Sequence, residues 1–113
     1  MAARNALLTA PPYAVEAALK TLGQNLRTAR LRRNLTIQDV ADKIGTGTRA
    51  VSDAEKGKAS TSAAVYVALL WAYDLHVPFT ALADPLGDEE GSALARAGER
   101  TRARAKGELD NDF

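Results

Sequence analysis

From Tyr13 to Arg33 the apolar residues Val15, Leu19, Leu22, Leu26 and Ala29 recur at steps of four, three, four and three. That spacing lays them along one stripe of an α-helix. Gly23 interrupts the stripe without breaking it. Asn34-Leu35 reads as a turn. Thr36 then stands as an N-cap, with Asp39 three residues on as a variant capping box. Val40, Ala41 and Ile44 form the inner face of a short helix, and Gly45 ends it where a left-handed residue is easiest to place. Thr46-Gly47 leads into a second short helix through Glu55, with Val51 and Ala54 inward, and Gly57 stops it. The loop from Lys58 ends in cap-type residues at Thr61 and Ser62. Ala63–Leu75 is predicted to be a helix apolar on nearly all sides, and Pro78 suits the first turn of a last short helix, Pro78–Ala83. No alternating strand pattern and no internal repeat is present. The expectation is an all-α chain: a flexible N-terminal arm over residues 1–12, a five-helix domain over 13–87, and a charged tail over 88–113 that is mobile or ordered only by a partner.

Two short helices joined at Gly45 are the arrangement of a helix-turn-helix. Val51 and Ala54 anchor the second helix, which sends Thr48, Arg49, Ser52 and Asp53 to the opposite face. A helix held in this way fits the major groove of B-DNA, where those four side chains are the candidate base contacts. Arg49 can grip guanine O6 and N7. Lys56 and Lys58 follow the helix, where the chain would pass the sugar-phosphate backbone. Gln38, Lys43, Gly47, Lys56 and Lys58 are the candidate phosphate contacts.

Charge sharpens this picture. The chain has 113 residues, 15 basic and 14 acidic, so its total charge of +1 implies no partner. Residues 1–87 carry ten basic against seven acidic residues, and Lys20–Arg33 has five basic residues and no acid. The tail is blocked: Asp88-Glu89-Glu90, then five basic residues and one acid from Arg96 to Lys106, then Glu108, Asp110 and Asp112. Segregation of this kind marks an interaction tail or a solvated helix. Cysteine is absent, which excludes a disulfide scaffold, thiolate catalysis and the usual zinc finger. One histidine and no glycine-rich phosphate loop after a strand leave no constellation for catalysis, and no metal or cofactor is expected. The longest apolar run, Ala63–Tyr73, is too short to cross a membrane. With no convincing signal peptide at the start, a soluble cytoplasmic protein is expected.

The stretch Leu22-Gly23-Gln24-Asn25-Leu26-Arg27-Thr28-Ala29-Arg30-Leu31-Arg32-Arg33-Asn34-Leu35-Thr36, then Val40-Ala41-Asp42-Lys43-Ile44-Gly45, then Val51-Ser52-Asp53-Ala54-Glu55-Lys56-Gly57, resembles the XRE/Cro-repressor family of DNA-binding domains. The resemblance covers about Leu19 to Ala83. It implies a Cro/repressor-like domain that reads a double-stranded operator, and it implies that Arg30 and Glu55 pair inside the domain. The family's usual glutamine at the start of the first short helix is Ile37 here, with Gln38 beside it. Asp53 matches a base-reading position; it could accept from cytosine N4 or mark weakened DNA binding. Ala83-Asp84-Pro85, the Asp88-Glu89-Glu90-Gly91 run, the basic Arg96–Lys106 block and the ending Leu109-Asp110-Asn111-Asp112-Phe113 resemble HipB-like antitoxins, which partner HipA-type kinase toxins. That resemblance implies an antitoxin and autorepressor whose Leu109, Asp110, Asp112 and Phe113 bind the toxin. A protein-interaction module with a decayed DNA face, or a plain phage-type repressor, are the alternatives. One domain of this size cannot bury every face of Ala63–Tyr73, so Tyr66, Leu70, Trp71 and Tyr73 are expected to form a homodimer interface.

Overall fold

The computed structural model describes residues 5–111, with side chains described for 5–107. All regular structure in it is helical. In order the elements are α1 (Ala6–Thr9), α2 (Tyr13–Arg32), α3 (Ile37–Ile44), α4 (Thr48–Glu55), α5 (Ala63–Ala72), α6 (Val77–Thr80), a 3-10 turn (Pro85–Gly87) and α7 (Glu89–Asn111). The chain forms two compact units, Met1–Phe79 and Thr80–Phe113. The expected five helices are joined by α1 in the N-terminal arm and by the 23-residue α7 in the tail.

In the first unit α2 packs on α4, α3 packs on both α4 and α5, and α4 packs on α5. The core between them is Leu26, Ala29, Val40, Ala41, Val51, Ala54, Tyr66, Leu69 and Tyr73, with Leu19, Leu22 and Ile44 against its edge. The inward faces read from the spacing of α2, α3 and α4 are therefore those found, except that Val15 is 40% exposed. On the nearly uniform α5, Tyr66, Leu69 and Tyr73 turn inward at steps of three and four.

The helix ends share one device. A residue with positive φ follows each of α2, α3, α4 and α5: Asn34 (53°), Gly45 (79°), Gly57 (70°) and Asp74 (57°). The next N–H then reaches back five residues. Leu35 donates to Arg30 O (3.2 Å), Thr46 to Ala41 O (3.0 Å), Lys58 to Asp53 O (3.1 Å) and Leu75 to Leu70 O (2.8 Å). These are Schellman closures, and they satisfy carbonyls that a helix end leaves open. The last of them explains why α5 stops at Ala72 rather than at Leu75: Asp74, a residue type that tolerates the left-handed region, turns the chain. The short helix expected over Pro78–Ala83 is instead the single turn Val77–Thr80.

Helix starts also follow the sequence. Thr36 accepts from Asp39 N–H, and the Asp39 carboxylate accepts from Thr36 N–H, completing the capping box. Hydrogen bonding to the Asp39 carboxylate from Thr36, by its backbone first and then its side chain, holds that carboxyl below the usual carboxylate range. Ser62 caps α5 by accepting from Val65 N–H.

Two glycines let backbones touch. A Cβ on Gly23 would lie 2.6 Å from the carbonyl oxygens of both Ala54 and Glu55 and 2.8 Å from Gly57 N. A Cβ on Gly57 would lie 2.5 Å from Leu19 O. The middle of α2 thus crosses the end of α4 with no side chain between them.

Arg30 fixes the same crossing. It donates to both Glu55 carboxylate oxygens, at 2.7 Å from Nε and 2.9 Å from Nη2, and its Nη1 donates to Leu35 O at 2.9 Å. Both side chains are buried, 9% and 6% exposed. The hydrogen bonds to Glu55 raise the Arg30 pKa further, so the guanidinium stays charged. Removing one partner of such a pair leaves a buried charge uncompensated. Glu55→Gln is expected to lower unfolding free energy by about 3–5 kcal/mol, a large share of a small domain's stability. Gly23→Ala is expected to destabilise as well, although alanine favours helices by about 1 kcal/mol over glycine, because the obstruction is backbone. Urea unfolding followed by circular dichroism measures both. A Gly23→Ala variant as stable as the parent would show that α2 can shift away from α4.

Candidate nucleic-acid interface

Helix α4 is held from beneath by Val51 and Ala54, both with 0% exposure. Its other side carries Thr48 and Arg49, both exposed, and Ser52 and Asp53, both half-buried. The four candidate base contacts therefore share one face. Arg49 makes no ion pair among the described residues. Gly47 is the N-cap, extended at φ −77°, with open space where a Cβ would be. No side-chain cap closes the start of α4, whose N-cap is Gly47. In α3 the Thr36 hydroxyl has already claimed one of the first N–H groups, the Asp39 N–H. An uncapped helix start suits a phosphate.

Asp53 is not a bare carboxylate. Lys58 Nζ lies 3.1 Å from its Oδ1, with the two side chains 44% and 23% exposed. The Lys58 backbone is fixed as well, since its carbonyl accepts from Tyr66 Oη at 2.8 Å. The pair compensates charge locally, and it takes Lys58 partly out of the supply of phosphate contacts. Gln38 is similarly engaged, donating to Asp42 Oδ1 at 2.8 Å.

Lys43 turns elsewhere. Its Nζ donates to Ala72 O at 3.2 Å and lies 5.7 Å from the centre of the Trp71 ring. Arg33 does the same from α2: Nη2 donates to Tyr73 O at 3.1 Å, and the guanidinium lies 5.4 Å from the Tyr73 ring centre. Two cations thus meet the negative end of α5. Lys43 is placed as a clamp between α3 and α5.

Lys56 remains exposed and without an ion pair among the described residues. With Arg27, Arg30, Ile37, Ser52 and Glu55 it lines a groove of about 260 Å³ beside α4. Arg30 and Glu55 neutralise each other there, so Arg27 and Lys56 set its charge. Arg27, one of the five basic residues counted from Lys20 to Arg33, joins the candidates through this groove. A second groove, of about 350 Å³, brings Lys56 and Lys58 together with Lys20 and with Leu8 to Pro11 of the arm. Glu16 lies 2.9 Å from Lys20 there and raises its pKa, chiefly through the hydrogen bond.

Of the expected dimer residues, Tyr66 and Tyr73 are 5% and 2% exposed and belong to this domain's own core. Burial pushes both phenols up. A side chain filled in on all sides offers no surface to a second subunit. Leu70 is half-buried and Trp71 is 53% exposed. Of the expected toxin-binding residues, the side chains of Leu109 and Asp110, and Asp112 and Phe113 entirely, lie outside the described residues.

Asp53→Asn is expected to release Lys58 and remove a carboxylate from the candidate DNA-facing side of α4. Affinity for random duplex should rise, and its logarithmic salt slope should steepen by about one unit. Fluorescence anisotropy over a salt series reads both, and an unchanged slope would mean that Lys58 does not reach a phosphate.

No helix among the described residues is long and apolar enough to cross a membrane. Neither a curated protein nor a solved structure matches the chain. A family model, described as a helix-turn-helix domain, matches residues 21–83, the span that holds α3, its turn, α4 and the Arg30–Glu55 pair. The chain belongs to this helix-turn-helix family, the fold of DNA-binding regulators.

Proposed function

We propose that the chain is a sequence-specific DNA-binding repressor that acts as a homodimer. The observation that carries this reading is Arg49: an exposed guanidinium, without an ion pair among the described residues, at the first turn of a helix whose opposite side is fully buried. Such a side chain can reach a base edge without disturbing the fold. Lys56, Arg27 and the uncapped start of α4 supply the phosphate contacts that position it. The Asp53–Lys58 pair weighs against a DNA face lost to a bare acid. Leu70 and Trp71 are the surface available to a second copy on α5.

A gel-shift assay with DNA from upstream of the protein's own gene tests the reading. Arg49→Ala is expected to weaken binding there by roughly 1–3 kcal/mol and to relax preference at one base pair per half-site. Binding its own upstream DNA no better than random duplex at moderate salt would overturn it.

The narrower role is that of antitoxin and autorepressor of a HipA-type kinase toxin. It rests on the sequence of the tail. Deleting residues 109–113 is then expected to abolish capture of the kinase and to leave operator binding intact. Retained capture would assign the kinase contact to another part of the chain.

A further inference from the structure

The second unit holds a line of charge that its fold does not use. Arg96, Arg100 and Arg104 stand at steps of four on α7, and Arg102 and Lys106 do the same on another face. All five are exposed, and none makes an ion pair among the described residues. The acids at the start of the helix have a local explanation. Asp88 accepts from Gly91 N–H at 2.9 Å, and Glu89 and Glu90 stand in the first turn, where the helix dipole favours them. Glu99 lies three residues from both Arg96 and Arg102 and pairs with neither.

Like charges four residues apart repel along a helix. No described side chain of α7 is buried, so packing does not offset that repulsion. The arrangement therefore lowers the stability of the helix that displays it, and a polyanion laid along it would relieve the strain. Arg96 to Arg104 spans about 12 Å at 1.5 Å per residue, an evenly spaced row that winds slowly around one side of the helix. Ala97, Ala103 and Gly107 around it keep the surface low. Leu94 falls on a different side, so the arginine face lacks the apolar anchor that a protein interface is built on.

We propose that this face of α7 is a second, sequence-independent contact to the DNA backbone, tethered to the helix-turn-helix unit through the chain. The inference rests on the reading of the protein as DNA-binding and adds affinity to it rather than base preference.

The test uses the full chain with Arg96, Arg100 and Arg104 all changed to Gln, and a second triple with Lys at the same positions. Circular dichroism confirms that each keeps its helix content. Binding to the upstream duplex and to a random duplex is measured across a salt series. For the Gln triple, affinity is expected to fall by the same factor on both duplexes. Its logarithmic salt slope should flatten by roughly 2–3 units, near 0.9 per lost phosphate contact. The Lys triple should keep the parent slope. A Gln triple that matches the parent on both duplexes overturns the proposal. So does a loss seen on polyglutamate but not on DNA, which would mark an acidic protein surface. A parent without preference for its upstream duplex, but with α7-dependent binding to random duplex, would sink the repressor reading and leave this contact standing.

Discussion

One guanidinium ties three parts of the domain together. Arg30 leaves the last turns of α2, grips both oxygens of Glu55 at the end of α4, and reaches the Leu35 carbonyl in the turn before α3. Its head is a planar fork, so the bidentate geometry sets direction as well as distance. The tilt of α4 against α2 is thereby specified from one end, while Val51 and Ala54 fix its rotation. A pair this buried contributes less net stability than its geometry suggests, because both charges had to leave water. Its contribution is orientation: an apolar pair in the same place would fill the space without choosing an angle.

The pair can form only because the backbones come so close. Gly23 lies directly against the carbonyls of Ala54 and Glu55, and Gly57 against Leu19. The left-handed turn at Gly57 returns the chain at once toward α5, and Lys58 N–H closes the end of α4 by bonding to Asp53 O. Asp53 is therefore held twice by one residue, through its carbonyl and through its carboxylate. The outer side of α4 and the helix end are built from the same two residues, which gives that side a rigid edge.

The periodic parts of this fold were legible in the sequence, and the reasons are local. The steps of four and three in α2, the Thr36–Asp39 box and the left-handed Gly45 each depend on residues within one or two turns. Val51 and Ala54 needed only the choice of a buried face. What stayed hidden depended on long-range geometry. On α5 every face is apolar, so spacing could not separate Tyr66 and Tyr73, which fill the core, from Trp71, which does not. The role of Gly23 was invisible because its neighbours are about thirty residues away. Lys43 looked like any exposed lysine of a short helix; only the position of the Ala72 carbonyl and the Trp71 ring shows what its ammonium touches.

Sorting the cations by what they touch changes what net charge means here. Arg30, Arg33 and Lys43 are committed to Glu55 and to carbonyls at helix ends, and Lys20 and Lys58 to carboxylates. Each of these is neutralised, or is tied to a partial charge, within its own unit. Arg27, Arg49 and Lys56 make no ion pair among the described residues of theirs, and Arg49 and Lys56 lie on or directly after α4, with Arg27 sharing the groove beside it. Arg32, at the end of α2, is likewise without an ion pair among them, so within this unit a total of +1 conceals a local concentration of unpaired charge beside α4. A duplex responds to that charge within about a Debye length, roughly 8 Å at physiological salt, where distant carboxylates count for little.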